Sequence, residues 1–167
     1  IVQFITQGVE PWREEIRALG GTDQRHLGNH ANVWRMDPSV AAAVAGLPFV
    51  RWVGAFHPAY KLENELLDEI QSHRLSTRRY HVEVGEWGPA DKTLVAERIL
   101  AIGGTLDLVN EEGWVLDATL SPAQLLEIAH ASEVQGVDRY GPPGPDMNNA
   151  RAVLGADYVQ TLGGFTG

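Results

Sequence analysis

His26 and His30 stand four positions apart, the interval at which two imidazoles on one helix face could share a metal ion. Gly28 and Asn29 lie between them, and that pair reads as the turn of a β-hairpin, where the two rings have no common helical face. His57, His73, His81 and His130 are scattered, and none belongs to a His-Glu-x-x-His motif. Glu14-Glu15, Glu63 with Glu65, and Glu111-Glu112 read as solvated helix or turn faces and not as paired acid–base carboxylates. Ser39, Ser72, Ser76, Ser121 and Ser132 have no evident base, and there is no Gly-x-Ser-x-Gly elbow. Gly20-Gly21 and Gly103-Gly104 have the composition of a phosphate loop, but each pair ends a helix, whereas a phosphate cradle begins one. These residues point to no catalytic group, no metal and no cofactor.

The bulk composition narrows the partners. Thirteen Lys and Arg against 22 Asp and Glu leave a formal net charge of −9, which argues against nucleic acid and anionic membranes. The chain is 44% hydrophobic and 21% charged, as globular domains are, and no apolar run is long enough to span a bilayer. It has no cysteine, so disulfides and thiolate-bound zinc are excluded, a composition compatible with any compartment. It starts inside a strand-like "IVQF" without Met and stops at "GGFTG", and both ends read as cuts through a longer precursor.

The glycine pairs belong to a larger pattern. "ALGGT" at Ala18–Thr22 returns as "AIGGT" at Ala101–Thr105, each after an amphipathic stretch and before a β-like run. In the first copy "IVQFI" suits a strand, and Trp12, Ile16 and Leu19 share one face of a helix opened by Pro11. "TDQRHL" and "ANVWRM" form a hairpin, Pro38 opens a second helix, and "VRWVGAF" is a last strand. The second copy repeats the order. "RYHVEVG" is followed by a helix with Leu94, Val95, Ile99 and Ile102 on one side. "TLDLVN" and "GWVLDATL" form a hairpin around Glu111-Glu112-Gly113, Ser121-Pro122 caps and opens a helix, and "VQGVDRY" closes the unit. Pro38 answers to Pro122, Val50 to Val134 and Val53 to Val137. The reading is α+β: two tandem ferredoxin-like βαββαβ units, each a four-stranded antiparallel sheet with two helices on one face. Gly20-Gly21 and Gly103-Gly104 are then the helix stops. The units occupy 1–60 and 79–140. Residues 61–78 form a polar linker with helix propensity at Glu63–Ile70, and 141–167 an extended spacer ending in a short helix pattern.

In the first copy alternation leaves apolar groups on both sheet faces. One face covers the helices, and the other is an exposed apolar patch of the kind that meets a partner, with Trp34 and Trp52 as the candidate docking residues. The second copy alternates cleanly: Tyr80, Val82 and Val84 oppose His81 and Glu83, while Leu106 and Leu108 oppose Asp107.

A small βαββαβ unit ending in "LPFVRWVGAFHPAYKL" resembles the propeptides of subtilisin-like serine proteases, and "ARAVLGADYVQTLGGFTG" is similar to the lead-in of a subtilase catalytic domain. The whole chain looks like the tandem propeptide-like region of a secreted bacterial subtilase. The resemblance implies an intramolecular chaperone and temporary inhibitor whose partner is its own catalytic domain, with no nucleic acid or membrane partner and no catalytic residue in this fragment. It also implies a tail continuing the last strand into the protease cleft. The segment Phe56–Leu62 is favoured for that role, with Phe56, Ala59, Tyr60 and Leu62 as its contact residues; Asp138–Pro145 lies nearer the catalytic domain in sequence but offers mostly proline and glycine, which lack a donor or a side chain. The competing reading is a tandem ferredoxin-like interaction module unrelated to a protease. An enzyme of the acylphosphatase shape would need an Arg–Asn pair on the loop after the first strand, and "TQGVEP" has neither.

Overall fold

Short β-branched runs alternate with amphipathic helices along the chain, and the computed structural model turns each run into the expected kind of element. It describes residues 1–85, 89–109, 113–141 and 156–163. The first half runs β1 (Val2–Phe4), α1 (Glu10–Ala18), β2 (Thr22–Leu27), β3 (Ala31–Arg35), α2 (Pro38–Ala45) and β4 (Val50–Val53). A 3-10 turn (Pro58–Lys61) and α3 (Asn64–Gln71) follow. The second half runs β5 (Arg78–Val84), α4 (Pro89–Ala101), β6 (Thr105–Val109), β7 (Val115–Leu120), α5 (Pro122–His130) and β8 (Val134–Arg139), and α6 (Ala156–Gly163) comes last. The chain is thus α+β with two four-stranded antiparallel sheets, ordered β2-β3-β1-β4 and β6-β7-β5-β8. Among the described residues no helix is long and apolar enough to cross a membrane. Glu111 and Glu112, and the spacer containing Pro142, Pro143 and Pro145, lie outside the described residues.

The two sheets match down to their irregularities. The pairing of the first and last strands slips between Gln3 and Phe4 in one sheet and between Glu83 and Val84 in the other. The outer hairpin slips between Asp23 and Arg25, and again between Leu106 and Leu108. A bulge kept at the same place in both halves re-aims the same side chains in both.

The doubled glycines have separate tasks. Gly20 and Gly103 sit at φ 104° and 78°, conformations open to residues without a Cβ. Their N–H groups donate to Arg17 and Leu100 carbonyls, while Gly21 and Gly104 donate to Ile16 and Ile99 carbonyls, so both helices end in the same two-bond Schellman arrangement. A β-branched residue at the first glycine is forced to positive φ. Gly20→Val and Gly103→Val are each expected to destabilise their own half by roughly 1–2 kcal/mol, read as a shifted denaturation midpoint.

One core lies under each sheet. In the first, Val2, Phe4 and Trp34 face Ile16 of α1 and Val44 of α2, with Phe49 beside them. Trp12 stacks on Phe49 at 4.9 Å, but Leu19 has turned outward at the helix end. In the second, Tyr80, Val82, Val84, Leu116, Ala118 and Leu120 face Val95, Ile99, Leu125 and Ile128. Leu94 is on the wet side of α4: Val95, Ile99 and Ile102 already supply the i, i+4, i+7 stripe, and the residue before that stripe points away. The N-terminus of α5 carries a full capping box between Ser121 and Gln124, and the Gln124 amide also donates to the Ile102 carbonyl, one of the unpaired carbonyls at the end of α4.

The stretch read as a linker is packed into the second half. Leu66 of α3 is fully buried in that core, Leu67, Ile70 and Leu75 pack against it, and Leu62 makes a parallel bridge to Val137. The physical reason is the spacing Leu62, Leu66, Ile70, which lines one side of an otherwise charged segment. The halves also touch directly. Arg35 forks onto Asp91 at 3.1 and 2.7 Å, and Arg25 donates to the Gln135 carbonyl at 3.3 Å.

Lys61 is buried at the same junction and donates to the Ala131 carbonyl at 2.7 Å. Burial pushes its ammonium down to about 8; Glu133 pulls it up and Arg35 pushes it further down. The unfolded chain therefore holds the extra proton between about pH 8 and the ordinary lysine value of 10.5, and stability rises with pH across that window. The rise amounts to about 3 kcal/mol at most. Urea denaturation of the wild type across this window should show it, and Lys61→Met should lack it.

Candidate functional site

Strand β5 reads R-R-Y-H-V-E-V, so every second side chain on its helix-free face is polar. The register sets His81 between Asp117 of β7 and Asp138 of β8, and Arg79 opposite Thr119. Asp117 is the hub. It is only 4% exposed, yet it lies on the face without helices. One oxygen accepts from the Arg79 guanidinium at 2.6 Å, and the other sits 2.5 Å from His81 Nδ1. The bond to Asp117 holds the Arg79 guanidinium above its ordinary value, against the opposing effect of burial. A carboxylate only accepts, so Nδ1 is the nitrogen that donates to it. Tyr140, just past β8, covers the pair: its ring lies 4.0 Å from the Arg79 guanidinium carbon and 5.0 Å from the His81 ring centre. Thr119 donates to Asp107 beside them, and Leu108, opposite Asp117 in the ladder, is 55% exposed.

Arg79, His81 and Asp117 are paired with one another, and an Arg and a Tyr, residue types common at the centres of interfaces, sit side by side with an exposed leucine. The imidazole is oriented by a buried carboxylate as a general base would be, but the Thr119 hydroxyl beside it is engaged with Asp107.

The residues singled out from sequence end up in several places. Trp34 belongs to the first core at 6% exposure and not to a docking face, because alternation on β3 puts it on the helix side with Val2 and Phe4. Trp52 does lie on the helix-free face, opposite Gln3, half exposed. The "FHPAYKL" segment is not extended. Pro58 starts the 3-10 turn, His57 Nδ1 accepts from the Ala59 N–H, Tyr60 stays exposed against Phe56, and Leu62 is buried on the second half. His26 lies in β2 and His30 at a left-handed turn position, so their spacing yields no shared helical face. Arg79 and Asp117 were missed, and Tyr140 entered only as part of the segment Asp138–Pro145. Their signal was Asp117 itself, a lone acid in the middle of the apolar strand "WVLDATL".

Compared with known proteins, the chain matches no family model, no curated protein and no solved structure.

Proposed function

We propose that each half is a ferredoxin-like βαββαβ unit and that the chain is the propeptide region of a secreted subtilisin-like serine endopeptidase. In this reading it is the intramolecular chaperone and temporary inhibitor of its own catalytic domain, and the second unit does the docking. The observation that carries the assignment to the second unit is the helix-free face of Arg79, His81, Asp117 and Tyr140, which leads straight into the chain leaving β8. The corresponding exit from the first unit is already committed: Lys61 and Leu62 are buried against the second half.

The chaperone role follows from linkage. A surface that binds the folded protease and not the unfolded one stabilises the folded form by mass action. It also templates contacts distant in sequence, which form slowly unaided. Two observations test the reading. The sequence following Gly167 should run into a strand ending in Asp-Thr-Gly or Asp-Ser-Gly. Refolding of that catalytic domain from acid should recover activity when the chain is added, and equal recovery without it contradicts the chaperone role.

A further inference from the structure

An apolar groove of about 560 Å³ opens in the first half between α2 and the end of the sheet. Its lining includes Met36, Ala41, Ala45, Val53 and Phe56, with Trp34 at its base and Ile1 at its rim. At the equivalent place in the second half the described residues fill the space, and the internal repeat shows how. Met36, Ala41, Ala45 and Val53 correspond to Leu120, Leu125, Ala129 and Val137, each 84 positions on. Those four residues are fully buried, in one cluster with Leu62, Leu66 and Tyr80. Leu62 bridges Val137, and the Glu63 N–H donates to the Val137 carbonyl. In the second half, therefore, the segment just ahead of the first strand, from the 3-10 turn through α3, closes the space between the second helix and the last strand.

We infer that the groove of the first half takes the same kind of occupant: an amphipathic helical segment with leucine-type side chains four apart, joined to the chain ahead of Ile1. Two features favour this occupant. Ile1 lines the groove and its backbone nitrogen lies 2.6 Å from the Gly54 carbonyl oxygen, so a residue joined ahead of it begins beside the groove. The pairing also fixes the register: Val2 and Val82 hold equivalent ladder positions, opposite Asn32 and Val53 in one sheet and Leu116 and Val137 in the other. Tyr80, two residues before Val82, reaches the second core, and the residue joined directly to Ile1 takes its place. The alanines of α2, where α5 carries leucine, leave room for side chains at least as large as those of α3.

The probe is a second copy of residues 58–80 fused ahead of Ile1 in the full chain, which keeps the spacing to Val2. The thermal midpoint of the first half should rise by about 5 °C or more relative to the same fusion carrying aspartate at the positions copied from Leu62 and Leu66. Amide exchange in Ala41–Ala45 should slow in the leucine fusion alone. Equal midpoints for the two fusions overturn the proposal. So does an equal gain from the free peptide of the same sequence at micromolar concentration, because the groove would then serve a separate chain.

Discussion

Leu66→Ala lowers the stability of the second half by about 2–5 kcal/mol, more than any other single change considered for this chain. The side chain is fully buried and shares its core with Tyr80, Val82 and Val137. Truncation removes its transfer free energy and leaves a cavity, because α3 is held by Leu62 on β8 and by the Arg78–Glu69 ion pair and cannot collapse inward. Leu67→Ala, on a half-buried neighbour, should cost clearly less. Chemical denaturation followed by amide exchange in β8 distinguishes the two. A Leu66→Ala chain with an unchanged midpoint would return residues 61–78 to the status of a linker.

Gly104→Val is the second large effect, about 1–3 kcal/mol, and its cause differs from that at Gly103. A Cβ at Gly104 meets Leu120 Cδ2 at 2.8 Å, Ile99 Cγ2 at 2.9 Å and the Ile99 carbonyl oxygen at 3.0 Å. That oxygen accepts from Gly104's own N–H, so it cannot retreat without breaking the helix stop. Gly21 repeats the situation against Ile16 and Trp34. At Gly103 a Cβ makes only an ordinary contact, 3.6 Å from Gln124 Nε2, and the positive φ is what resists substitution, so Gly103→Asn should recover much of the loss seen with valine. No such rescue is expected at Gly104, because asparagine brings the same Cβ. Equal rescue at both positions would contradict this division of labour.

The repeat, the element order and the helix stops were legible in the sequence because each rests on local chemistry. Positive φ demands glycine, proline opens helices, and alternation marks strands. What failed was long-range. Leu62, Leu66 and Ile70 sit four apart among Glu63, Glu65, Asp68 and Glu69, and the charge count outweighed the stripe. Trp34 and Trp52 look equivalent as residues, but one strand turns its ring to the helices and the other away from them, a matter of register. Asp117 gains its meaning from Arg79 and His81, which lie 38 and 36 positions away in sequence. The bulges that align these groups have no single-residue signature.

The central claim is that the second half, through the face around Tyr140, engages a subtilisin-like catalytic domain. Inhibition of that domain by the full chain measures it directly, with Tyr140→Asp compared against Tyr60→Asp, a change at an exposed ring of the 3-10 turn. The account predicts inhibition at micromolar concentrations or below, a loss of about tenfold or more with Tyr140→Asp, and no change with Tyr60→Asp. Loss with Tyr60→Asp alone would move the contact to the first half, and no inhibition by the intact chain would contradict the protease reading and leave a tandem interaction module.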